Sequence, residues 1–401
     1  MLSSLTILFV MLFFAYVSTE ISSKLGFPRA VGPVIMGVFF ASTGLDKLLP
    51  GASATIAPLA QVGLVLLFFY VGMETNVRVF SKQLSGMFLV SGLNTILPFV
   101  LGALVVHASG FSWTVAIIIG LSLSVSSVSL SADFLAEKGL LGSRIGRFII
   151  GAGTVDDVIE ALLISVVLSV VQAAHVGKSI LGIFGDVGIF LVVIVAFKIL
   201  IIPFVLRILE RERSHAALFG GALVITLLLA ALGESLGVSS FIGALVAGII
   251  IRQVLLAQGI PLEEQHLANN IKVLAFGFFV PLFSLWVGMQ ANLSTLHGNY
   301  GFAILITVIA TVGTVLGSAL GIRLAGGGWR DGVAVGFGVN GKGDTELAIA
   351  AVALGTGIIG KNLFSAIVFM SVITSVLSPI VFNMLIQGSK GKTSVRTNRC
   401  S

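Results

Sequence analysis

Two adjacent carboxylates, Asp156 and Asp157, with a third at Glu160, stand in the stretch Gly151-Ala152-Gly153-Thr154-Val155-Asp156-Asp157-Val158-Ile159-Glu160. Their surroundings are apolar. Phe148-Ile149-Ile150 precedes them, and no charge occurs from Ala161 to Val171. Carboxylates at membrane depth are costly and rare unless they face a water-filled cavity or a partner, so the default reading is an ion or proton site. Low dielectric disfavours the charged form of a carboxylate, and a second carboxylate beside it adds to that. The two then titrate as a unit. A hard monovalent cation also seeks oxygen ligands. One such anion can hold a proton or a cation, not both, and a protein that switches access only when the site is filled exchanges the two. On a helix Thr154, Asp157 and Glu160 share a face, while Asp156 points about 100° away, toward another neighbour.

The elements that must hold these residues are membrane spans. The chain has 401 residues, 57% hydrophobic and 10% charged, which describes a polytopic all-α membrane protein and not a soluble one. Thirteen apolar segments lie near 3–22, 30–46, 56–75, 86–107, 113–135, 145–171, 181–207, 216–236, 239–256, 271–290, 300–323, 331–356 and 363–387. The longest polar connection runs from Arg252 to Asn270, and a basic tail over 389–401 follows a single transmembrane domain over 1–388. Of the 23 basic side chains, 18 fall on one side of these spans and 3 on the other. That bias puts the N-terminus outside and the C-terminus in the cytoplasm of a cell-membrane protein. The net charge of +6 is explained by these flanks and by a tail suited to anionic lipid, with no need for nucleic acid. The one cysteine, Cys400, excludes an intrachain disulfide. The first residues lack a basic n-region and read as a span, not a removable signal. No P-loop, metal-ligand spacing or nucleophile–base pattern is present, so neither an enzyme nor a cofactor is expected.

An internal repeat organises the spans. Val71-Gly72-Met73-Glu74-Thr75-Asn76 returns as Val287-Gly288-Met289-Gln290-Ala291-Asn292, an offset of 216 that also carries Trp113 to Trp329 and Gly120 to Gly336. The displacement is seven spans, an odd number, so the two copies must be inverted. The repeats cover about 3–171 and 216–387, joined by a linking helix near 181–207. Inverted-repeat transporters place their sites at helices broken in corresponding positions of the two halves. Both breaks are legible. One is the run Ser122, Ser124, Ser126, Ser127, Ser129, Ser131; the other is Gly336, Gly338, Asn340-Gly341-Lys342-Gly343-Asp344-Thr345-Glu346. Two such discontinuous helices would cross with their termini facing, and Lys342, Asp344 and Glu346 would offset the partial charges of those termini.

These residues resemble the monovalent cation:proton antiporter superfamily, in its Kef-type and sodium/proton branch. The likeness is strongest at Leu25-Gly26-Phe27-Pro28 through Gly37, at Phe69-Tyr70-Val71-Gly72-Met73-Glu74, at Ser126-Ser127-Val128 through Gly139, and at Gly151 through Asp157. The resemblance implies that Asp157 is the carboxylate shared by cation and proton, with Asp156 beside it. Hydroxyls and carbonyls around Ser126 and Ser127 would help coordinate the ion. It also implies a homodimer. Three positions depart from the pattern. Gly341-Lys342-Gly343-Asp344 stands where Pro-Arg-Gly-Glu is usual, Glu160 replaces a small residue, and Thr314 stands where electrogenic members carry a lysine paired with the first aspartate.

The implied activity is secondary-active exchange of a monovalent cation for protons. Sodium is favoured over lithium or potassium, since the regulatory domain common in potassium systems is not seen and any regulatory subunit is unspecified. The alternatives are a sodium-coupled symporter of a small organic anion, which the acids would repel, and a cation channel or sensor subunit, for which no filter is visible. Bland readings also exist for single residues. The acids could form a buried ion-pair network, the serines could be small-residue helix packing, and Lys198 could snorkel to the interface.

Overall fold

Long apolar runs leave the backbone few ways to satisfy itself in lipid, and the helix is the simplest. In a computed structural model the residues described are 3–45, 51–74, 85–126, 135, 143, 145–153, 155–156, 159–160, 180–204, 215–236, 240–257, 261–291 and 300–393. The helices are α1 (Ser4–Lys24), α2 (Val31–Thr43), α3 (Ala52–Glu74), α4 (Ser85–Ala108), α5 (Trp113–Ser124), α6 (Ile180–Ala196), α7 (His215–Ser235), α8 (Ser240–Ala257), α9 (Pro261–Leu274), α10 (Val280–Gln290), α11 (Tyr300–Leu324), α12 (Trp329–Val339), α13 (Asp344–Gly355) and α14 (Lys361–Thr393). Between α5 and α6 the acidic stretch is helical at residues 145–153, 155–156 and 159–160. Among the described residues eight helices are long and apolar enough to cross a membrane, and others such as α2 and α5 are shorter apolar helices.

One expectation from sequence is corrected. The polar connection placed between Arg252 and Asn270 is largely helix. α8 carries Arg252 on to Ala257, and α9 begins at Pro261 and joins α10 through one π-helical turn, Ala275–Phe279. Proline suits the first turn of a helix, where its missing N–H is not needed. The polarity of α9 marks its exposed face and not a loop.

The chain divides into two compact units. One comprises Met1–Tyr16, Gly44–Arg78 and Ala161–Trp286; the other comprises Val17–Thr43, Val79–Glu160 and Val287–Ser401. In the first unit α3 and α8 approach backbone to backbone. A Cβ on Gly72 would strike the Leu245 carbonyl, and one on Gly248 the Phe69 carbonyl. Arg252 Nε pairs with Glu264 Oε1 at 3.2 Å. Lys198, expected to snorkel, reaches Gln253 Oε1 at 2.8 Å.

The second unit holds the acidic stretch. Its central packing is α11 against α4. Gly313, Gly317 and Gly321 recur every fourth residue, on one face of α11, and sit against Pro98, Leu93–Asn94 and Val90 of α4. Small residues at that spacing let two backbones meet closely. α12 packs on α11 in the same way, through Gly332 against Ala319 and Gly336 against Val315. Gly120 of α5 faces Phe99 and Ala103 of α4. Ile149 and Ala152 of the acidic stretch join Val90, Val335, Val339 and Phe382 in one apolar cluster. The acids are thus carried on a helical stretch anchored between α4, α12 and α14.

Candidate functional site

Close approach of α11 fixes α4, and α4 fixes three donors. Ser91, Asn94 and Thr95 are spaced three and four residues apart and so share a face. All three reach one carboxylate. Ser91 Oγ donates to Asp156 Oδ1 at 2.9 Å, Thr95 Oγ1 donates to the same oxygen at 2.5 Å, and Asn94 Nδ2 donates to Oδ2 at 2.7 Å. Ser126 Oγ adds a fourth bond, to Oδ2. Asp156 is 2% exposed, so these four neutral donors stand in for water. Burying an anion without such bonds would cost several kcal/mol, on the order of the effective desolvation penalty per ion. Pro98 lies four residues after Asn94 within α4. It has no N–H for the Asn94 carbonyl, which loosens the helix where the donors lie.

Ser126 is where the acidic stretch meets the first break. α5 stops at Ser124, and Val125 is extended, with φ −62° and ψ 138°. That turn removes Ser126 N–H from any α5 ladder, and the N–H donates instead to Glu160 Oε1 at 2.7 Å. Asp156 and Glu160, four residues apart, converge on one residue. Sequence alone sets Asp156 apart, toward a different neighbour from the Glu160 face; the i,i+4 spacing instead lets both acids share Ser126.

The second break lies between α12 and α13. α12 ends at Val339, and α13 begins at Asp344 after Gly343, which has φ −143° and ψ −111°. Lys342, fully buried, donates from Nζ to the Val125 carbonyl. The ammonium thus meets the negative end of α5, where a cation is favoured. α14 holds the rest of the break with a row of hydroxyls. Ser371 Oγ donates to Glu346 Oε1 at 2.7 Å, Ser375 Oγ donates to the Lys342 carbonyl, and Asn340 Nδ2 donates to Ser378 Oγ at 2.9 Å. Lys342 lies within electrostatic reach of Glu160, Glu346 and Asp156. Glu346 occupies the first turn of α13, where a carboxylate opposes the positive helix end.

Of the residues expected from sequence, Asp156, Ser126, Glu160, Lys342 and Glu346 form this one cluster. Asp157, Thr154 and Ser127 lie outside the described residues, as does the side chain of Asp344. Thr314 is fully buried, and its hydroxyl has no hydrogen-bond partner among the described residues. Asp156, expected to lack the usual lysine partner because of Thr314, takes four hydrogen bonds from neutral side chains. Sequence reasoning missed Ser91, Asn94 and Thr95, and also Ser371, Ser375 and Ser378. Each set carried a signal: three polar side chains on one helical face of an otherwise apolar span.

Apolar helices around a buried cluster of acids, with two helix ends inside it, describe a multi-pass membrane protein. The chain belongs to the sodium/hydrogen exchanger family, whose model, described as "Sodium/hydrogen exchanger, transmembrane", matches residues 8–388. This places it in the monovalent cation:proton antiporter superfamily that its motifs resemble. It is 30% identical over 362 residues to the probable Na(+)/H(+) antiporter GerT of Bacillus cereus, covering 90% of this chain and 93% of the relative. It is 27% identical over 360 residues to the Na(+)/H(+)-K(+) antiporter GerN of the same organism, covering 90% of each. The fold is similar to the structure of the sodium proton antiporter MjNhaP1 from Methanocaldococcus jannaschii, with a TM-score of 0.67 at 12% identity over 94% of this chain and 95% of that one.

Proposed function

We propose that this protein is a secondary-active antiporter that exchanges sodium for protons by competition at a buried carboxylate, with access alternating between the two sides of the cell membrane. The observation that carries this reading is the Asp156 cluster. An acid 2% exposed is held by four neutral donors, three on α4 and one, Ser126, just past the end of α5. Such a cradle keeps an anion available without committing it to a fixed cation. Family membership and the names of the relatives support sodium and protons as the pair. In this reading Asp157 is the exchanging carboxylate, Asp156 its positioned neighbour, and Ser126, Ser127 and Thr154 supply oxygen ligands. Lys342, Asp344 and Glu346 balance the helix ends.

The proposed architecture is a single domain over 1–388, with six-span inverted repeats, a linking helix and two crossed discontinuous helices. It works as a homodimer with its N-terminus outside. An organic-anion symporter fits less well, because Asp156, Glu160 and Glu346 outnumber Lys342 at the site.

The test is flux in vesicles with an imposed pH gradient. Sodium should collapse the gradient, lithium and potassium are compared in the same assay, and Asp157→Asn should abolish the response. Collapse that survives Asp157→Asn sinks the mechanism.

A further inference from the structure

Resting on that exchanger reading, we propose that Lys342 is a tethered occupant of the cation site, whose ammonium holds a position the transported cation must take over. Three observations converge. First, the Lys342 ammonium donates to the Val125 carbonyl. That carbonyl precedes Ser126 at the end of α5, where the chain turns extended. A carbonyl freed in this way is a natural oxygen ligand for a monovalent cation, and the lysine already fills it. Second, the acids around the ammonium are those of the site. Lys342 is within electrostatic reach of Glu160, Glu346 and Asp156. Two of the three bond to Ser126, the residue next to that carbonyl. Asp156 itself takes its four described hydrogen bonds from neutral groups, so the lysine acts on it only at a distance. Third, the backbone that carries the lysine is pinned. Ser375 Oγ donates to the Lys342 carbonyl, and Asn340 reaches Ser378 at 2.9 Å. The main chain is held to α14, and the buried four-carbon side chain is the part that must move when the ammonium withdraws. A fixed base with a flexible, singly charged tip is what an internal competitor requires.

A cation arriving at Ser126 meets the ammonium in the way. Binding needs the ammonium to withdraw, and its return helps expel the cation. The lysine therefore weakens affinity and speeds release. A lysine that only balanced helix ends would affect folding and maximal rate, with no systematic effect on apparent affinity.

The experiment compares wild type with Lys342→Met, Lys342→Arg and Ser375→Ala in proteoliposomes, reading KM and maximal rate for sodium from gradient collapse. Thermal stability of the purified proteins with and without sodium is read in parallel. Lys342→Met should lower KM by about tenfold, as removal of a nearby like charge allows, and should lower the maximal rate. Lys342→Arg, which keeps the charge, should hold or raise KM. Ser375→Ala frees the Lys342 carbonyl without touching the charge, and should lower KM by a smaller factor. If Lys342→Met does not fold, Ser375→Ala together with Lys342→Arg decides: a lower KM in Ser375→Ala with an equal or higher KM in Lys342→Arg supports the competitor, and any other pattern overturns it. Equal or raised KM in a folded Lys342→Met also overturns it. Failure of wild type to respond to sodium would instead strike at the exchanger reading.

Discussion

Gly317→Ala tests the chain of cause that runs from helix packing to the site, through a residue that touches no ion. A Cβ at Gly317 would strike the Leu93 carbonyl oxygen and stand 2.7 Å from the Leu93 carbonyl carbon and 3.0 Å from Asn94 Cα. Comfortable carbon–carbon contact is about 3.5–4.0 Å, so α4 and α11 must part by about 1 Å. Asn94 holds Asp156 Oδ2 at 2.7 Å. The same shift stretches that bond past the range of about 2.7–3.2 Å in which an N–H donor is effective. Overpacking of this kind costs about 1–3 kcal/mol. A hydrogen bond to a charged group contributes about 1.5–3 kcal/mol. Since the two effects share one displacement, about 3 kcal/mol is expected in all, near a hundredfold in the population of the intact site. The control lies on the same helix. A Cβ at Gly301 meets nothing within 4 Å, so Gly301→Ala should be neutral or slightly stabilising. The readouts are thermal unfolding of the purified protein and sodium-driven collapse of a pH gradient. Gly317→Ala should lower both stability and exchange, and Gly301→Ala neither. A Gly317→Ala protein that matches wild type in both would refute the reasoning.

Three further outcomes are expected. Glu160→Gln keeps an acceptor for Ser126 N–H, now 2.7 Å from Glu160 Oε1, whereas Glu160→Ala leaves that donor buried and unpaired. Alanine should therefore destabilise by about 1–3 kcal/mol, and glutamine by much less; equal loss in both would show that charge matters here and the bond does not. Arg252 and Glu264, with side chains 19% and 9% exposed, pair at 3.2 Å. Arg252→Met should cost about 3–5 kcal/mol by stranding the nearly buried carboxylate. Adding Glu264→Gln should return part of it, and strict additivity in that double-mutant cycle would mean that the two do not interact. Competition at one carboxylate also fixes how exchange depends on pH. While the site is mostly protonated, KM for sodium should rise by up to about tenfold per unit fall in pH at constant maximal rate; a constant KM with a falling maximal rate counts against a shared site.

The parts of the site that sequence made legible are those whose residue types conflict with their surroundings. Acids in an apolar run, a serine-rich segment and Gly341-Lys342-Gly343-Asp344 all oppose an uninterrupted apolar helix, and each conflict marks a real feature of the fold. α5 does end at Ser124, and α12 and α13 are separate helices. What stayed hidden involves no such conflict. Ser91, Asn94 and Thr95 are ordinary guests of a membrane helix, and they reach Asp156 across 61 to 65 residues of sequence. The packing of α4 against the glycines of α11 and against the acidic stretch itself brings them there. The same packing supplies what Thr314 does not. On the sequence alone, its presence where a lysine is expected leaves Asp156 without its usual partner. In the structure four neutral donors satisfy Asp156, and the positive charge near the acids comes from Lys342, in the break between two helices. A charge on a continuous helix is held by a rigid element, whereas one between two helices rides on backbone pinned by a single hydroxyl, that of Ser375. Moving the charge from the first kind of position to the second keeps a cation among the acids and makes it easier to displace.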